Sequence, residues 1–408
     1  DRDPSKKSSS FSAVAAVLGG NLGTGNIAGI AVALSTGGPG SLFWMWIIAL
    51  LGAILKFTGT VLAILHRKKD ENGEYVGGPM YYMKDALKAP KMAWVYCVLT
   101  LLSALTVGNM VQINSLALPL SEMGIPTWLT GGIMAMLVGA VIMGGLQRFS
   151  QVVSKVVPLM ALLYLAACGF ILANQSDQIL PALQLILNSA FSPQPLIGGI
   201  AGFTVLEAIR SGFDRGLFAT DVGVGLAPII HASVESKTSR FQTAVTQGLI
   251  STLSPFIVML ICTLTGLVLI TTQAWQLEGF ESTNLCIEAF RIGLNTPLAG
   301  HIVTVTLFFF AFTTILTWSF CADKAIEFMY STKAIRAFQI VFILTIPLGA
   351  LFKVEVLWAT ADLFMNGMLM MNISALVLLF PQVLKKMNGL HKRNKNKARV
   401  HEAPLHSG

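Results

Sequence analysis

The sequence predicts an all-α polytopic membrane protein of ten spans, and three observations carry that prediction. Hydrophobic residues fill 54% of the 408 positions and charged residues only 12%, with a mean hydropathy of +0.69, far above what a domain with a solvated surface carries. The apolar residues fall into runs of about 20 or more, which at about 1.5 Å rise per residue cross a hydrocarbon core of about 30 Å as helix. The basic residues alternate with those runs.

In chain order the spans are expected near 11–36, 41–65, 92–118, 127–145, 152–173, 196–231, 242–271, 299–322, 335–352 and 356–381. Several exceed a straight crossing, which predicts tilt or interruption. Loops on one side hold Arg2, Lys6, Lys7, Arg67, Lys68, Lys69, Lys84, Lys88, Lys91, Arg148, Lys155, Lys237, Arg240, Lys324, Lys333, Arg336 and the tail from Lys385 to Arg399; the intervening loops hold Arg291 and Lys353. The positive-inside rule then puts both termini in the cytoplasm of a plasma-membrane protein. The tail KKMNGLHKRNKNKARV resembles a nucleic-acid or anionic-lipid patch on its own, but as the end of this topology it reads as a solvated cytoplasmic segment, and no nucleic-acid partner is expected. The partner is the bilayer.

The cysteines give no disulfide or metal pattern: Cys97, Cys168, Cys262 and Cys321 lie in apolar spans, and Cys286 is expected alone in an outer loop. His66, His231, His301, His391, His401 and His406 lack ligand spacing, so neither a metal site beyond a coupling ion nor an organic cofactor is expected. Without a nucleophile or metal constellation the chain reads as no enzyme, and without a repeated filter segment it reads as no channel.

Span 1 carries GGNLGTGNIAGIA from Gly19 to Ala31. Glycine costs about 1 kcal/mol relative to alanine inside a helix, and backbone that leaves the helix at membrane depth is tolerated where it is buried in protein or lines a cavity. Gly19–Gly23 and Gly25–Gly29 also fit close helix packing, yet packing does not call for Asn21, Thr24 and Asn26. A break here would present N–H groups to a carboxylate and carbonyls to a cation and an ammonium. Span 6 repeats the interruption, with Glu207, Arg210, Gly212, Asp214, Arg215, Gly216, Thr220, Asp221, Gly223 and Gly225. Spacings of three and four put Glu207, Arg210 and Asp214 on one helical face, where mutual neutralisation is expected; contact with substrate or coupling ion is the other reading of these charges and of Asp221. Paired broken helices five spans apart suggest a five-plus-five inverted repeat around a midplane site. The expected divisions are a cytoplasmic segment 1–10, repeats at 11–174 and 195–381, and a basic tail 382–408.

GTGNIAG from Gly23 to Gly29, GGPGSLFWMW from Gly37 to Trp46 and GGPMYYMK from Gly77 to Lys84, followed by GNMVQINS from Gly108, RGLF from Arg215 and TTILTWSF from Thr313, closely resemble the alanine/glycine:cation symporter family, also called sodium:alanine symporters. The resemblance implies the LeuT-type fold and a secondary active transporter that carries small neutral amino acids with sodium by alternating access. Gly23, Thr24, Gly25, Asn26 and Gln112 then look like substrate contacts, and Phe218 and Trp318 like pocket walls. Apart from the resemblance, Gln112 reads equally as interhelical glue, and the two aromatics as core or lipid-facing residues. For sodium, the resemblance joins the hydroxyls of Thr313 and Thr314 to carbonyls near Gly19 and Leu22, although membrane threonines commonly bond back to their own helix.

This chain departs from the family pattern at Glu207, at Arg210, at Asp214 in place of a lysine, and at Ala219–Gly223 in place of Ser-Asn-Glu-Ala-Gly. A proton-coupled transporter titrating Glu207, Asp214 or Asp221 is the alternative. The family also has a further hydrophobic helix before span 1, and with Asp1 at the start a fragment or processed chain is expected, which would raise the span numbers by one.

Overall fold

In a computed structural model of the chain, residues 9–193, 203–277, 279–280, 282–296 and 298–401 are described, with side chains at all of these except 355 and 389–401. The segment 1–8 with Arg2, Lys6 and Lys7, the start of the second expected repeat and residues 402–408 lie outside them, and of the basic tail beyond residue 388 only the helical backbone to 401 is described.

Among the described residues seven helices are long and apolar enough to cross a membrane: Ser41–Leu65, Pro90–Glu122, Gly145–Asn174, Arg240–Thr271, Ala299–Met329, Thr332–Gly349 and Val356–Asn388. They are spans 2, 3, 5, 7, 8, 9 and 10. Span 4 is the shorter Thr127–Ile142. Spans 1 and 6 are each two half-helices: Ser10–Asn21 with Ala28–Gly37, and Val205–Thr220 with Leu226–Ala232. Each lone half is too short to cross about 30 Å, and each pair is long enough. Leucines such as Leu162, Leu344 and Leu363 stay exposed at 67%, 67% and 68%, as side chains facing lipid do.

The amphipathic connections were not legible as separate elements. A two-stranded hairpin pairs Lys68 with Val76 and Lys69 with Tyr75 and leads into the helix Pro79–Asp85. Gly78 precedes that helix at φ 139, a conformation open to glycine and costly for a side chain, so the GGPMYYMK stretch is read here as a turn into a buried helix. Ser176–Phe191 joins spans 5 and 6, and Ser282–Leu294 joins spans 7 and 8. Cys286 lies in the latter, buried, with its Sγ donating to Ile27 O at 3.3 Å; the expected lone cysteine of an outer loop is instead a core contact of span 1.

The broken spans sit at the centre. The first half of span 1 packs against spans 5 and 8, and the second half against the first half of span 6. Span 2 packs along span 6 and the start of span 7.

Candidate functional site

Span 1 leaves the helix after Asn21. Leu22, fully buried, closes the first half with its N–H on Leu18 O at 2.6 Å, and Thr24–Asn26 form one tight turn before the second half begins. Asn26 organises the turn from within: its Nδ2 donates to Asn21 O at 2.6 Å and to Gly23 O at 3.2 Å, while its Oδ1 accepts from Cys262 Sγ at 3.1 Å. Thr265 Oγ1 donates to Asn26 O at 3.1 Å. The carbonyls at the break are therefore held by side chains, and the expectation of unbonded peptide groups is corrected. In a low-dielectric interior a free carbonyl costs about 1–3 kcal/mol, so polar side chains from span 1 and its neighbours cap the break.

Gln112 faces the same turn from span 3. Its Oε1 accepts from Thr24 N–H at 3.0 Å and from Thr24 Oγ1 at 3.1 Å, and its Nε2 donates to Val107 O at 2.9 Å. That carbonyl belongs to a wider π-type turn, Thr106–Met110, a form frequent at functional sites because it shifts one turn's hydrogen bonds. A methyl group on Gly23 would stand 2.9 Å from both Gln112 Oε1 and Thr314 Oγ1, so the missing side chain is what lets spans 1, 3 and 8 meet.

On span 8, Thr314 Oγ1 donates to Gly19 O at 3.0 Å. Thr313 does not join it: its hydroxyl returns to Phe309 O at 3.0 Å, with Met160 Sδ at 3.5 Å. The second hydroxyl reaching span 1 is that of Thr317, one turn on, which donates to Ala16 O at 3.1 Å and to Thr313 O at 2.9 Å. Of the expected set of Gly19, Leu22, Thr313 and Thr314, the Thr314–Gly19 contact is made directly, Thr313 is turned back on its own helix, and Thr317 is the contact sequence reasoning passed over.

Span 6 is broken differently. Its first half opens on a capping box in which Thr204 and Glu207 exchange hydrogen bonds at 2.7–3.1 Å. It ends at Asp221, φ 47, followed by Gly223 and Gly225 at φ 76 and 115. Side chains hold its carbonyls as well: Asn21 Nδ2 on Thr220 O at 3.1 Å, Asn372 Nδ2 on Gly223 O at 2.7 Å, and Tyr96 Oη on Val224 O at 2.8 Å. The Asn21 bond ties the two breaks together. Tyr82 Oη donates to Asn372 Oδ1 and orients that amide.

The expected neutralisation among Glu207, Arg210 and Asp214 is not formed. Glu207 is committed to its cap, and all three are exposed on the wall of a cavity of about 270 Å³. The ion pair of this half-helix joins Arg215 to Asp362 of span 10 at 3.2 Å. The guanidinium carbon lies 4.8 Å above the Trp358 ring and 6.0 Å from that of Phe218, and those two rings stand 4.7 Å apart. Phe218 in turn covers Gly25, where a methyl would approach its ring to 2.8 Å. Trp318 is 1% exposed and packs on Gly108 of span 3. Arg215 was named among the charges of span 6 without a partner, and Trp358 and Asp362 were missed; a lone acid inside an apolar span was the available signal for Asp362.

Asp221 is 4% exposed, with Oδ2 buried and unpartnered. Lys56 of span 2, 3% exposed, donates to Ser254 Oγ at 2.9 Å. Spans 2 and 6 pack along one another, and these two buried groups of opposite sign lie on them without a direct hydrogen bond or ion pair; an opposite charge nearby makes a charge more tolerable at membrane depth.

The arrangement is matched in known proteins. The family model described as sodium:alanine symporter family matches residues 1–403. A sodium/alanine symporter, AgcS, of Methanococcus maripaludis is 35% identical over 398 residues, covering 96% of this chain and 86% of that protein. A Bacillus subtilis protein described as a probable sodium/glutamine symporter, GlnT, is 31% identical, covering 95% and 79%. Among solved structures, an Eremococcus coleocola manganese transporter superposes with TM-score 0.60 at 16% identity over 91% of this chain and 78% of its own, and a Na+-coupled sialic acid symporter with TM-score 0.59 at 14% over 90% and 79%. These structures share the LeuT-type fold with this chain. It is a multi-pass membrane transporter, not an enzyme, coupling a cation to a small amino acid, and it belongs to the sodium:alanine symporter family.

Proposed function

We propose that this chain is a sodium-coupled symporter of small neutral amino acids, alanine and glycine, in the plasma membrane, working by alternating access between repeats at 11–174 and 195–381 with both termini cytoplasmic. The observation that carries the reading is the convergence at span 1, where Thr24 meets Gln112 and Gly19 meets Thr314 on adjacent turns. A substrate carboxylate is a stronger acceptor than the Gln112 amide, and it suits the N–H and hydroxyl of Thr24. Gln112, turned, supplies Nε2. The ammonium suits the carbonyls that Asn26 now holds. Phe218 packs on Gly25 and Trp318 on Gly108 beside the break, and walls this close favour a substrate side chain the size of a methyl.

Sodium prefers hard oxygen ligands, and the Thr314 hydroxyl with the Gly19 carbonyl offers two. Leu22 O and Thr313, rotated off its own helix, would complete the shell. Because both ligands engage one short break, each stabilises the arrangement the other needs, and that mutual coupling lets a sodium gradient drive uptake. No further cofactor is part of the proposal.

Proton coupling is the competing reading. Glu207 and Asp214 are exposed at the outer cavity, which leaves Asp221, buried opposite Lys56, as its carrier. Uptake of labelled alanine and glycine into proteoliposomes under imposed sodium, lithium, potassium or proton gradients separates the two. Concentrative uptake with sodium alone is expected; uptake that follows the proton gradient in sodium-free buffer would overturn the proposal.

A further inference from the structure

Span 8 runs on past Thr314 to Met329, and its next turns carry two oxygen-bearing side chains that the site above does not use. Ser319 is fully buried and its Oγ has no hydrogen-bond partner. One turn further, Asp323 accepts from Gln339 Nε2 at 2.8 Å through Oδ2, while its Oδ1 is buried and unpartnered. Residues four apart lie on one helical face. Both line a pocket of about 30 Å³ together with Phe149 and Phe320, whose rings stack at 5.1 Å.

That pocket shares Asp323 and Phe320 with a cleft of about 320 Å³, which Asp70, Glu74 and Glu327 also line. The cleft lies at the hairpin and the ends of spans 8 and 9, on the side of the lysine- and arginine-rich loops. Carboxylates outnumber its cations: Lys324 is paired with Glu327 at 2.9 Å, and Arg336 rests its Nη1 against Met143 Sδ at 3.7 Å. An unpartnered buried oxygen is costly, and two on one face, one of them a carboxylate oxygen, match a small monovalent cation. A divalent ion wants six or more oxygens. At about 1.5 Å per residue, Ser319 lies about 7.5 Å along the helix from Thr314, and Asp323 about 6 Å beyond it.

We propose that Ser319 and Asp323 form a second station for the coupling cation, between the Thr314–Gly19 contact and the cytoplasmic cleft. The station rests on the sodium-symport reading. It binds sodium arriving from or leaving to the cytoplasm, so it governs how internal sodium slows uptake and leaves external sodium affinity alone.

The test uses right-side-out membrane vesicles loaded with graded sodium chloride, choline making up the ionic strength, with external sodium fixed and initial alanine uptake measured. Asp323→Asn is expected to raise the internal sodium that halves uptake about tenfold, and Ser319→Ala about threefold, as losses near 1.4 and 0.7 kcal/mol give. Asp323→Glu, which keeps the carboxylate, is expected to stay near the original value. External sodium affinity should stay within about twofold in all three. An unchanged internal inhibition curve in Asp323→Asn, or an equal shift in external affinity, overturns the station. If Asp323→Asn fails to reach the membrane, Ser319→Ala decides by the same criteria. Uptake in the unmodified protein that ignores external sodium would instead sink the symport reading beneath it.

Discussion

The two breaks reach the same outcome by opposite means. Span 1 parts at ordinary backbone angles, with Leu22, Gly23 and Ile27 at φ −83, −100 and −111, and its carbonyls are held by hydroxyls, a thiol and an amide that can rotate away in favour of a ligand. Span 6 parts through Asp221, Gly223 and Gly225, all at positive φ, and is fixed by Tyr96 and by the Tyr82–Asn372 pair, with Asp221 and Lys56 buried on facing spans. A break made of exchangeable caps suits recognition. A break made of left-handed residues and buried charges suits a rigid wall against which recognition happens. Damage to span 6 should therefore appear as lost stability, and damage to span 1 as lost affinity.

The largest effect is expected at Lys56. Lys56→Met leaves Asp221 buried and uncompensated, and the thermal unfolding of the detergent-solubilised protein should report a loss of about 3–5 kcal/mol, much of it restored in the Lys56→Met, Asp221→Asn double variant. Equal damage in single and double variants would show that the two charges do not depend on one another. Next is Gly225→Ala, whose methyl would run into the Tyr96 hydroxyl at a backbone angle of φ 115; the same assay should lose about 1–3 kcal/mol. On the span 1 side, Gln112→Ala should raise the alanine KM about tenfold, near 1.4 kcal/mol, with a stability loss smaller than that of Gly225→Ala. A stability loss to match that at Gly225 would erase the contrast between the breaks. The smallest effect separates two neighbours: Thr314→Ala should weaken apparent sodium affinity about fivefold, near 1 kcal/mol, and Thr313→Ala less, since its hydroxyl faces its own helix. Equal sodium dependence in both variants and the parent would remove span 8 from the cation site.

The ten crossings and both interruptions were legible because each rests on local composition: apolar length for the spans, glycine with asparagine and threonine for the breaks. What holds the breaks was not. Asn372 lies 149 residues from Gly223, and Thr314 lies 295 from Gly19, and no local pattern encodes such a pairing. The charges of span 6 misled for a local reason, since the i, i+3 spacing of Glu207 and Arg210 suggested an ion pair while Thr204, three residues before Glu207, already spelled a capping box. Thr313 followed the common habit of a membrane threonine and bonded its own helix. Lys56 and Asp362, single charges in apolar runs, were visible and went unassigned because their partners lie on other spans.

The central claim is that one amino acid and one cation share the break of span 1, and calorimetric titration of alanine into the purified protein tests it most directly. In sodium chloride the alanine affinity should exceed that in choline chloride by about tenfold or more, the reciprocal titration of sodium should show the same factor, and Thr314→Ala should shrink both together. Alanine binding of equal strength in the two salts would contradict the account.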